Sequence, residues 1–362
     1  MQLRIPGPTP CPDDVLKAMS RQMINHRGAE FGKILDKLTA QLKDIFQTRG
    51  DVFILTTSGT GAMETVVVNA LSPGDKVLVV SIGAFGDRFA DIAQTYGAEV
   101  KRLSFEWGQA ADPDAVRRAL KEAPGIKAVL LTHNETSTGV TNDLEALTRV
   151  VREFDKLVLV DAISSLGSIN LPVDAWGCDL VATGSQKGWM VPPGLAMVSI
   201  SARGWQAYAK ARMPRYYFDL GKARNYLEKK QTPWTPAVSV FFALEVGLDK
   251  LMKEGMSNVV SRHRKVAQRA RDNVKALGLS LFPANEAYAS NTVTAVNPPQ
   301  GIEPKKITQL LREEFGVVLA GGQGKLDGKV FRIGHLGWVT EGDMDEVASA
   351  LKSGLAKLGY KK

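Results

Sequence analysis

The chain is poor in cysteine and histidine and lacks a long uninterrupted hydrophobic run. Only two of its 362 residues are cysteine and four are histidine, too few for a disulfide framework or a cysteine-rich metal site. No segment is apolar over the roughly 18 residues that a transmembrane helix needs, and the N-terminus has neither the basic start nor the apolar run of a signal peptide. The sequence therefore predicts a cytoplasmic protein with no membrane association and no metal.

The chain also lacks a concentrated basic region, although its net charge is +8, from 46 Lys and Arg against 38 Asp and Glu. The basic residues are dispersed apart from short runs such as 262–265, which is typical of the solvated face of a helix. No RNA-binding or DNA-binding module is recognisable. We therefore expect small anionic molecules as partners and no nucleic acid.

Short apolar runs alternate with amphipathic patterns through the first two thirds of the chain. The runs that predict strands are 52–56, 76–80, 128–132, 157–161, 180–183 and 196–200, and the helical patterns between them are 62–70, 87–96, 113–121 and 144–154. This alternation predicts an α/β core at about residues 50–200 with a mostly parallel sheet covered by helices on both faces.

The last third of the chain has a different pattern. Residues 235–277 predict one long helix, followed by strands at 292–296 and 330–333 and helices at 304–315 and 343–358. This order of elements predicts a smaller C-terminal α+β domain joined to the core by the long helix.

Candidate functional residues follow three of the predicted strands, where open α/β sheets bind their ligands. Residues 57–64 are small and open a helix, which suits a phosphate-binding turn or an ordinary strand-to-helix turn. Asp161 ends an apolar strand. It is either a turn residue or the partner of a buried cation. Lys187 stands among small and aromatic residues, where lost hydration and a neighbouring cation would lower its pKa and favour Schiff-base chemistry.

Together these segments resemble the fold-type I enzymes that use pyridoxal 5′-phosphate, and within them the class V aminotransferases. The segment containing Ser185, Gln186 and Lys187 resembles the cofactor-attachment signature, which makes Lys187 the lysine that carries the cofactor as a Schiff base. Asp161 then pairs with the pyridine nitrogen. The resemblance covers nearly the whole chain and is closest to the alanine:glyoxylate, serine:glyoxylate and serine:pyruvate branch.

Four further segments support this resemblance and imply roles for their residues. Residues 6–10 and 26–31 resemble segments near the active site, and Pro8 is expected at the substrate. Residues 131–139 resemble the loop whose hydroxyl, here Thr136, approaches the cofactor's ring oxygen. In residues 331–334, Arg332 resembles the arginine that binds the substrate carboxylate through two parallel hydrogen bonds.

The resemblance also implies a cofactor site and a division of the chain. Ser58, Gly59 and Thr60 would hold the phosphate with Gln186 beside them. Phe85 lies where some members have a tryptophan that stacks on the cofactor. Thr235 would reach the phosphate from a partner subunit, which implies a homodimer with shared active sites.

The resemblance divides the chain into three parts. These are an N-terminal segment 1–20 at the active site, a large cofactor-binding domain 21–250 with a seven-stranded type of sheet, and a small α+β domain 251–362.

The expected activity is transfer of the amino group of alanine or serine to glyoxylate or pyruvate in two half-reactions. An aminotransferase for aspartate or for an aminophosphonate is an alternative on the same scaffold. A cysteine desulfurase is a weaker alternative, because residues 320–328 contain no cysteine where that activity requires one. A non-catalytic binding protein would need none of the set Lys187, Asp161, Gln186 and Arg332. His133, Tyr216, Tyr217 and Trp189 are interpreted as packing residues.

Overall fold

A computed structural model describes residues 1–361. The helices are α1 (Asp13–Ala18), α2 (Ala29–Phe46), α3 (Gly59–Ala70), α4 (Ala84–Thr95), α5 (Pro113–Glu122), α6 (Leu144–Glu153), α7 (Ala202–Lys210), α8 (Leu220–Leu227), α9 (Val238–Glu254), α10 (Met256–Ala276), α11 (Pro304–Phe315) and α12 (Glu341–Lys357). The strands are β1 (Gln2–Leu3), β2 (Asp51–Leu55), β3 (Lys76–Ser81), β4 (Glu99–Ser104), β5 (Ala128–Thr132), β6 (Asn134–Glu135), β7 (Val140–Thr141), β8 (Leu157–Asp161), β9 (Leu180–Gly184), β10 (Ala196–Ile200), β11 (Ser280–Leu281), β12 (Val293–Asn297), β13 (Val317–Val318), β14 (Ala320–Gly321) and β15 (Phe331–Gly334).

The centre of the molecule is a seven-stranded sheet in the order β2-β10-β9-β8-β5-β3-β4. Its pairs are parallel except those of β10, which runs antiparallel to both of its neighbours. In the registered pairs, Asp161 lies opposite Thr132 on one side and Ala182 on the other. The predicted mostly parallel sheet is confirmed, and the carboxyl ends of its central strands share one edge.

Helices cover both faces of this sheet because successive strand residues point to opposite sides. Val52 and Ile54 of β2 join one hydrophobic cluster, whereas Phe53 and Leu55 join the other. The central strands are therefore buried on both faces and read as continuous apolar runs. The edge strand β4 was missed in the sequence because its residues are largely exposed and charged.

The C-terminal part has a second sheet in the order β11-β12-β15-β14. A separate hydrophobic cluster joins it to residues of α10, α11 and α12. Strand β1 pairs in parallel with β13 of this part, so the start of the chain is anchored there before it runs on to the large sheet. The division at residues 20 and 250 stays a prediction.

The single long helix predicted for residues 235–277 is wrong. Two helices, α9 and α10, occupy this region, and Gly255 separates them with φ of 80°. That backbone conformation costs little only in glycine. Helix α2 was also missed, although its buried face includes Phe31, Leu38 and Leu42. Within residues 1–361, none of the helices has the length and apolar character to cross a bilayer.

Candidate active site

Lys187 lies just after β9, and the opening segment of the chain covers it. Its side chain is 9% exposed, and Nζ donates a hydrogen bond to the carbonyl oxygen of Pro6 at 2.5 Å. A Cβ atom on Gly7 would lie 2.7 Å from the same nitrogen. Thr9 fixes the contact by donating from its N–H to the Gln186 carbonyl at 3.1 Å and from Oγ1 to the Lys187 carbonyl at 3.1 Å. The close packing excludes water from the amine and requires glycine at position 7.

Burial also sets the ionisation of Lys187. Loss of hydration lowers the pKa of its amine to about 8; Asp161 opposes this shift, and the positive charges of Arg332 and Arg88 add to it. The cause is physical: a charged amine is less stable away from water. With this pKa, about a tenth of the Lys187 amine is neutral at pH 7 and about half is neutral at pH 8.

Asp161 ends β8 and is 3% exposed. Burial raises the pKa of its carboxyl to about 7, opposed by the N–H of Ile163, which donates to Oδ1 at 2.9 Å, while Glu135 raises it further. Oδ2 has no hydrogen-bond partner within residues 1–361. Asp161 and Lys187 form no direct ion pair in that part of the chain, so both keep bonding capacity for a ligand.

The N-terminus of α3 has free donors at the end of β2. Ser58 caps the helix by accepting from the Gly61 N–H at 3.4 Å, and the N–H groups of Gly59 and Thr60 have no acceptor within residues 1–361. A Cβ atom on Gly59 would lie 2.8 Å from Cδ1 of Ile163. This turn therefore packs beside the Asp161 segment and can bind an anion.

Gln186 has an unused acceptor next to Lys187. Its Oε1 atom is buried and has no hydrogen-bond partner in the described chain. Because an unsatisfied buried polar atom is costly, this oxygen indicates a donor group that the protein binds.

Thr136 lies in the loop after β6 and is buried. Its Oγ1 donates to Ser164 Oγ at 2.8 Å, and Ser164 donates in turn to the Asn134 carbonyl at 3.0 Å. The hydroxyl of Thr136 is thereby fixed against the segment that follows Asp161.

Arg332 comes from β15 of the C-terminal sheet and is buried. Its Nε donates to the Gly321 carbonyl at 2.8 Å, and Nη1 donates to the Thr136 carbonyl at 3.0 Å. Nη2 makes no hydrogen bond within residues 1–361. Burial lowers the pKa of the guanidinium, and Glu135 opposes this. The side chain is thus held in place with part of its fork still free for a carboxylate.

Phe85 lies in the first turn of α4, and the guanidinium of Arg88 stands 4.7 Å from its ring centre. Arg88 makes no hydrogen bond or ion pair within the described residues, yet its charge affects the pKa of both Lys187 and Asp161. Arg88 and Glu135 were given no role from the sequence. Glu135 lies in the segment 131–139 and Arg88 lies three residues after Phe85, but the charges of both act on the site only in the folded chain.

The side chains of two predicted site residues do not contribute to the surroundings of Lys187 described above. Pro8 is exposed, and its neighbours Gly7 and Thr9 make the contacts. Thr235 is also exposed, and its side chain makes no hydrogen bond within residues 1–361.

The residues interpreted as packing residues differ in their settings. His133 is buried edge-on against Trp176, and burial lowers the pKa of its ring to about 4. Trp189 is buried and donates to Thr183 Oγ1 at 2.9 Å. These two are core residues, whereas Tyr216 and Tyr217 are exposed.

Neither cysteine has the setting of a reactive thiol. Burial raises the pKa of Cys11 to about 11 and raises that of Cys178 further. A thiol with a raised pKa is a poor nucleophile near neutral pH. Residues 1–361 contain no group of three or more His, Cys, Asp or Glu side chains that could hold a metal ion.

Comparison with known proteins identifies the family. Residues 3–326 match the family described as aminotransferase class-V. The chain therefore belongs to this family and is a transaminase, which confirms the resemblance and the fold expected from the sequence.

Three similar proteins illustrate this family. The chain is 47% identical over 362 residues to a protein of Synechococcus sp. (strain PCC 6716) named soluble hydrogenase, small subunit, with 99% of this chain and 94% of that one covered. It is 37% identical over 342 residues to the L-aspartate–glyoxylate aminotransferase of Paracoccus denitrificans (strain Pd 1222), with 93% and 86% covered. The solved structure of alanine–glyoxylate aminotransferase from Nostoc sp. superimposes with a TM-score of 0.94 at 32% identity, covering 98% and 94%.

The lowered pKa of Lys187 predicts a pH dependence that can be measured without cofactor. Acetic anhydride modifies only neutral amines, so acetylation of Lys187 followed by mass spectrometry should rise with a midpoint at about pH 8. The Asp161→Asn variant removes a charge that favours the protonated amine, so its midpoint should be lower.

Asp179→Asn is the control, because Asp179 is a buried carboxyl at the opposite end of β9 that accepts from the Val158 N–H. The acetylation midpoint of this variant should match that of the protein without a substitution. A midpoint at 10.5, the ordinary lysine value, would contradict the burial argument.

Proposed function

We propose that this transaminase uses pyridoxal 5′-phosphate to move the amino group of a small L-amino acid, alanine or serine, to glyoxylate or pyruvate. The observation that carries the proposal is the convergence of Lys187, Asp161 and Arg332. The three side chains come from different segments, all are buried, and the charges of Asp161 and Arg332 both act on the amine of Lys187. Location in the cytoplasm stays a prediction.

The residues present fit this cofactor. The free N–H groups of Gly59 and Thr60, with Ser58, suit its phosphate, and the unpaired Oε1 atom of Gln186 lies beside Lys187. Asp161 Oδ2 would pair with the pyridine nitrogen, Thr136 would approach the ring hydroxyl oxygen, and Phe85 would pack on the face of the ring. When bound, pyridoxal phosphate withdraws the electrons that a substrate Cα–H bond leaves behind.

The protein's own groups would orient the substrate and move its proton. Arg332 binds the α-carboxylate through its free N–H groups, which fixes the direction of the Cα–H bond. The Lys187 amine then takes the proton from Cα as a general base. Its pKa of about 8 suits this role, because a base works best when its pKa lies near the working pH.

Glyoxylate as acceptor is supported by the names of the Paracoccus and Nostoc relatives. The donor is less constrained, and Arg88 favours a second candidate, aspartate. Arg88 is a cation near Lys187 without an ion pair in the described chain, so a second carboxylate on the substrate would have a partner. Alanine and serine make no use of that charge.

We further infer a homodimer in which Thr235 completes the partner's phosphate site. The segment around Thr235 makes contacts within its own chain and has exposed side chains. Trp234 stacks on Tyr216 with ring centres 4.9 Å apart, and Arg27 donates to the Pro233 carbonyl at 3.1 Å. Tyr216 is 70% exposed. An ordered aromatic surface of this kind is typical of protein interfaces.

The absorption spectrum tests the proposed function. The purified protein supplied with pyridoxal phosphate should show a visible band that L-alanine removes and glyoxylate restores. Lys187→Ala should lose this band and abolish turnover, because it removes both the attachment point and the general base. A Lys187→Ala enzyme with normal turnover, or a native protein without the band, would refute the proposal.

Two substitutions separate the carboxylate contacts. Arg332→Ala should raise the KM of every amino donor by about tenfold to a hundredfold, since hydrogen bonds to a charged group contribute roughly 1.5–3 kcal/mol. Arg88→Gln should lower kcat/KM for aspartate by about tenfold relative to alanine if aspartate is a substrate. Steady-state kinetics with both donors gives these values.

Arg271→Lys is the matched control for both. Arg271 is another buried arginine, but it donates to the Ser290 carbonyl at 3.1 Å, away from Lys187. The control should lower stability and leave KM unchanged. An unchanged KM in Arg332→Ala would show that Arg332 does not bind the substrate carboxylate. Equal effects of Arg88→Gln on both donors would show that Arg88 does not determine substrate specificity.

Mixed dimers test the shared site. Lys187→Ala and Thr235→Asp should each be nearly inactive alone, the second because it opposes the phosphate with a negative charge. When both chains are co-expressed with different tags, about half of the dimers are mixed and each has one intact site, so about a quarter of native activity should return. No recovery in isolated mixed dimers would show that the sites are not shared.

A further inference from the structure

Glu135 is a fully buried carboxyl that the proposed reaction does not use. Each of its oxygens receives two donors. Oε2 accepts from the N–H groups of Phe85 and Gly86, both at 3.1 Å. Oε1 accepts from the N–H of Ser137 at 3.0 Å and from its hydroxyl at 2.6 Å. One side chain therefore joins the loop that contains Thr136 to the first turn of α4.

The hydrogen atoms around Glu135 favour its ionised form. The hydroxyl of Ser137 accepts from the Ala84 N–H at 3.0 Å, which leaves its own hydrogen free to point at Glu135. All four contacts are then donors, and donors stabilise a carboxylate. Burial acts in the opposite direction and raises the pKa of this carboxyl. A buried carboxylate with four donors is firmly held, because the loss of any one contact leaves a polar group unsatisfied.

Glu135 serves as the N-terminal cap of α4, whose own N-cap residue has no capping side chain. The N-cap residue of this helix, Gly83, has no side chain that could bind the free N–H groups of the first turn. Those groups require acceptors, and a negative charge is favourable at this end of a helix. Glu135 supplies both from 50 residues further along the chain. A Cβ atom on Gly83 would overlap Cγ of Glu135, so the turn and the side chain are in direct contact.

The same loop holds two other parts of the site. Thr136, the next residue, places its hydroxyl on Ser164 and its carbonyl on Nη1 of Arg332. The negative charge of Glu135 also stabilises the positive charge of Arg332. Glu135 thus connects the backbone of Phe85 to the loop that contains Thr136, and that loop contacts Arg332.

We propose that Glu135 is a positioning residue that sets the separation between Phe85 on α4 and the loop that contains Thr136 and contacts Arg332. Its effect on the cofactor rests on the proposed function, because Phe85 would pack on the face of the cofactor ring and Thr136 would approach its hydroxyl oxygen. Its effect on the backbone of α4 does not depend on the reaction.

The test compares Glu135→Ala with Glu135→Gln. In cofactor-free protein, hydrogen exchange at the amides of Phe85 and Gly86 should become at least about tenfold faster in Glu135→Ala, since both lose their acceptor. The dissociation constant of pyridoxal phosphate, from absorbance titration, should rise by about tenfold or more. Glu135→Gln keeps one oxygen for two donors and should recover part of both effects.

Asp179→Ala is the matched control, because it removes a buried carboxyl that accepts from the Val158 N–H and the Ser201 hydroxyl, both at 2.9 Å. It should lower stability without changing exchange at Phe85 and Gly86 or the binding of pyridoxal phosphate. Equal effects from both alanine variants would show a general loss of structure and overturn the proposal.

Two other results would overturn it as well. One is unchanged exchange at Phe85 and Gly86 in a folded Glu135→Ala protein, or in Glu135→Gln if the alanine variant does not fold. The other is faster exchange with an unchanged dissociation constant for pyridoxal phosphate. If the native protein does not bind pyridoxal phosphate, the proposed function fails, and the exchange result alone still decides whether Glu135 positions α4.

Discussion

The exclusion of water from Lys187 is the constraint on which the site depends. An amine keeps its ordinary pKa in water. The burial of Lys187, to which the packing of the opening segment contributes, brings that pKa down to about 8 together with the positive charges of Arg332 and Arg88. This packing in turn requires that β1 be paired with β13, that Thr9 bind the backbone of Gln186 and Lys187, and that Gly7 have no side chain. The opening segment of the chain therefore contributes to the environment that lowers the pKa of Lys187.

The parallel sheet supplies the other half of this arrangement. Because β5, β8 and β9 run in one direction and in register, their carboxyl ends place the loop after Thr132, the carboxyl of Asp161 and the segment of Lys187 at a common edge. The antiparallel strand β10 pairs with the edge strand β2. The carboxyl end of β2 leads to the free amides at the start of α3. Ligand-binding groups at this edge follow from the topology.

Backbone groups, more than pairs of side chains, hold the functional side chains in place. Arg332 donates to two carbonyls, Lys187 donates to a third, and Glu135 accepts from three N–H groups. Backbone partners leave the charges of Arg332, Asp161 and Lys187 uncompensated by ion pairs within the described chain. Those charges remain available to a ligand, and this suits the proposed binding of a carboxylate, a phosphate and a ring nitrogen together.

The sequence by itself determined the alternation of strands and helices, the mostly parallel sheet and the strand-end positions of Lys187 and Asp161, because period and strand-end position are local properties. The segments that contain Thr136 and Arg332 were singled out by their resemblance to the family. The sequence did not determine the charged edge strand β4, the break at Gly255 or the roles of Glu135 and Arg88. Tertiary structure decided these, because they depend on what lies opposite: a neighbouring strand, a second helix, an uncapped helix end or an aromatic ring.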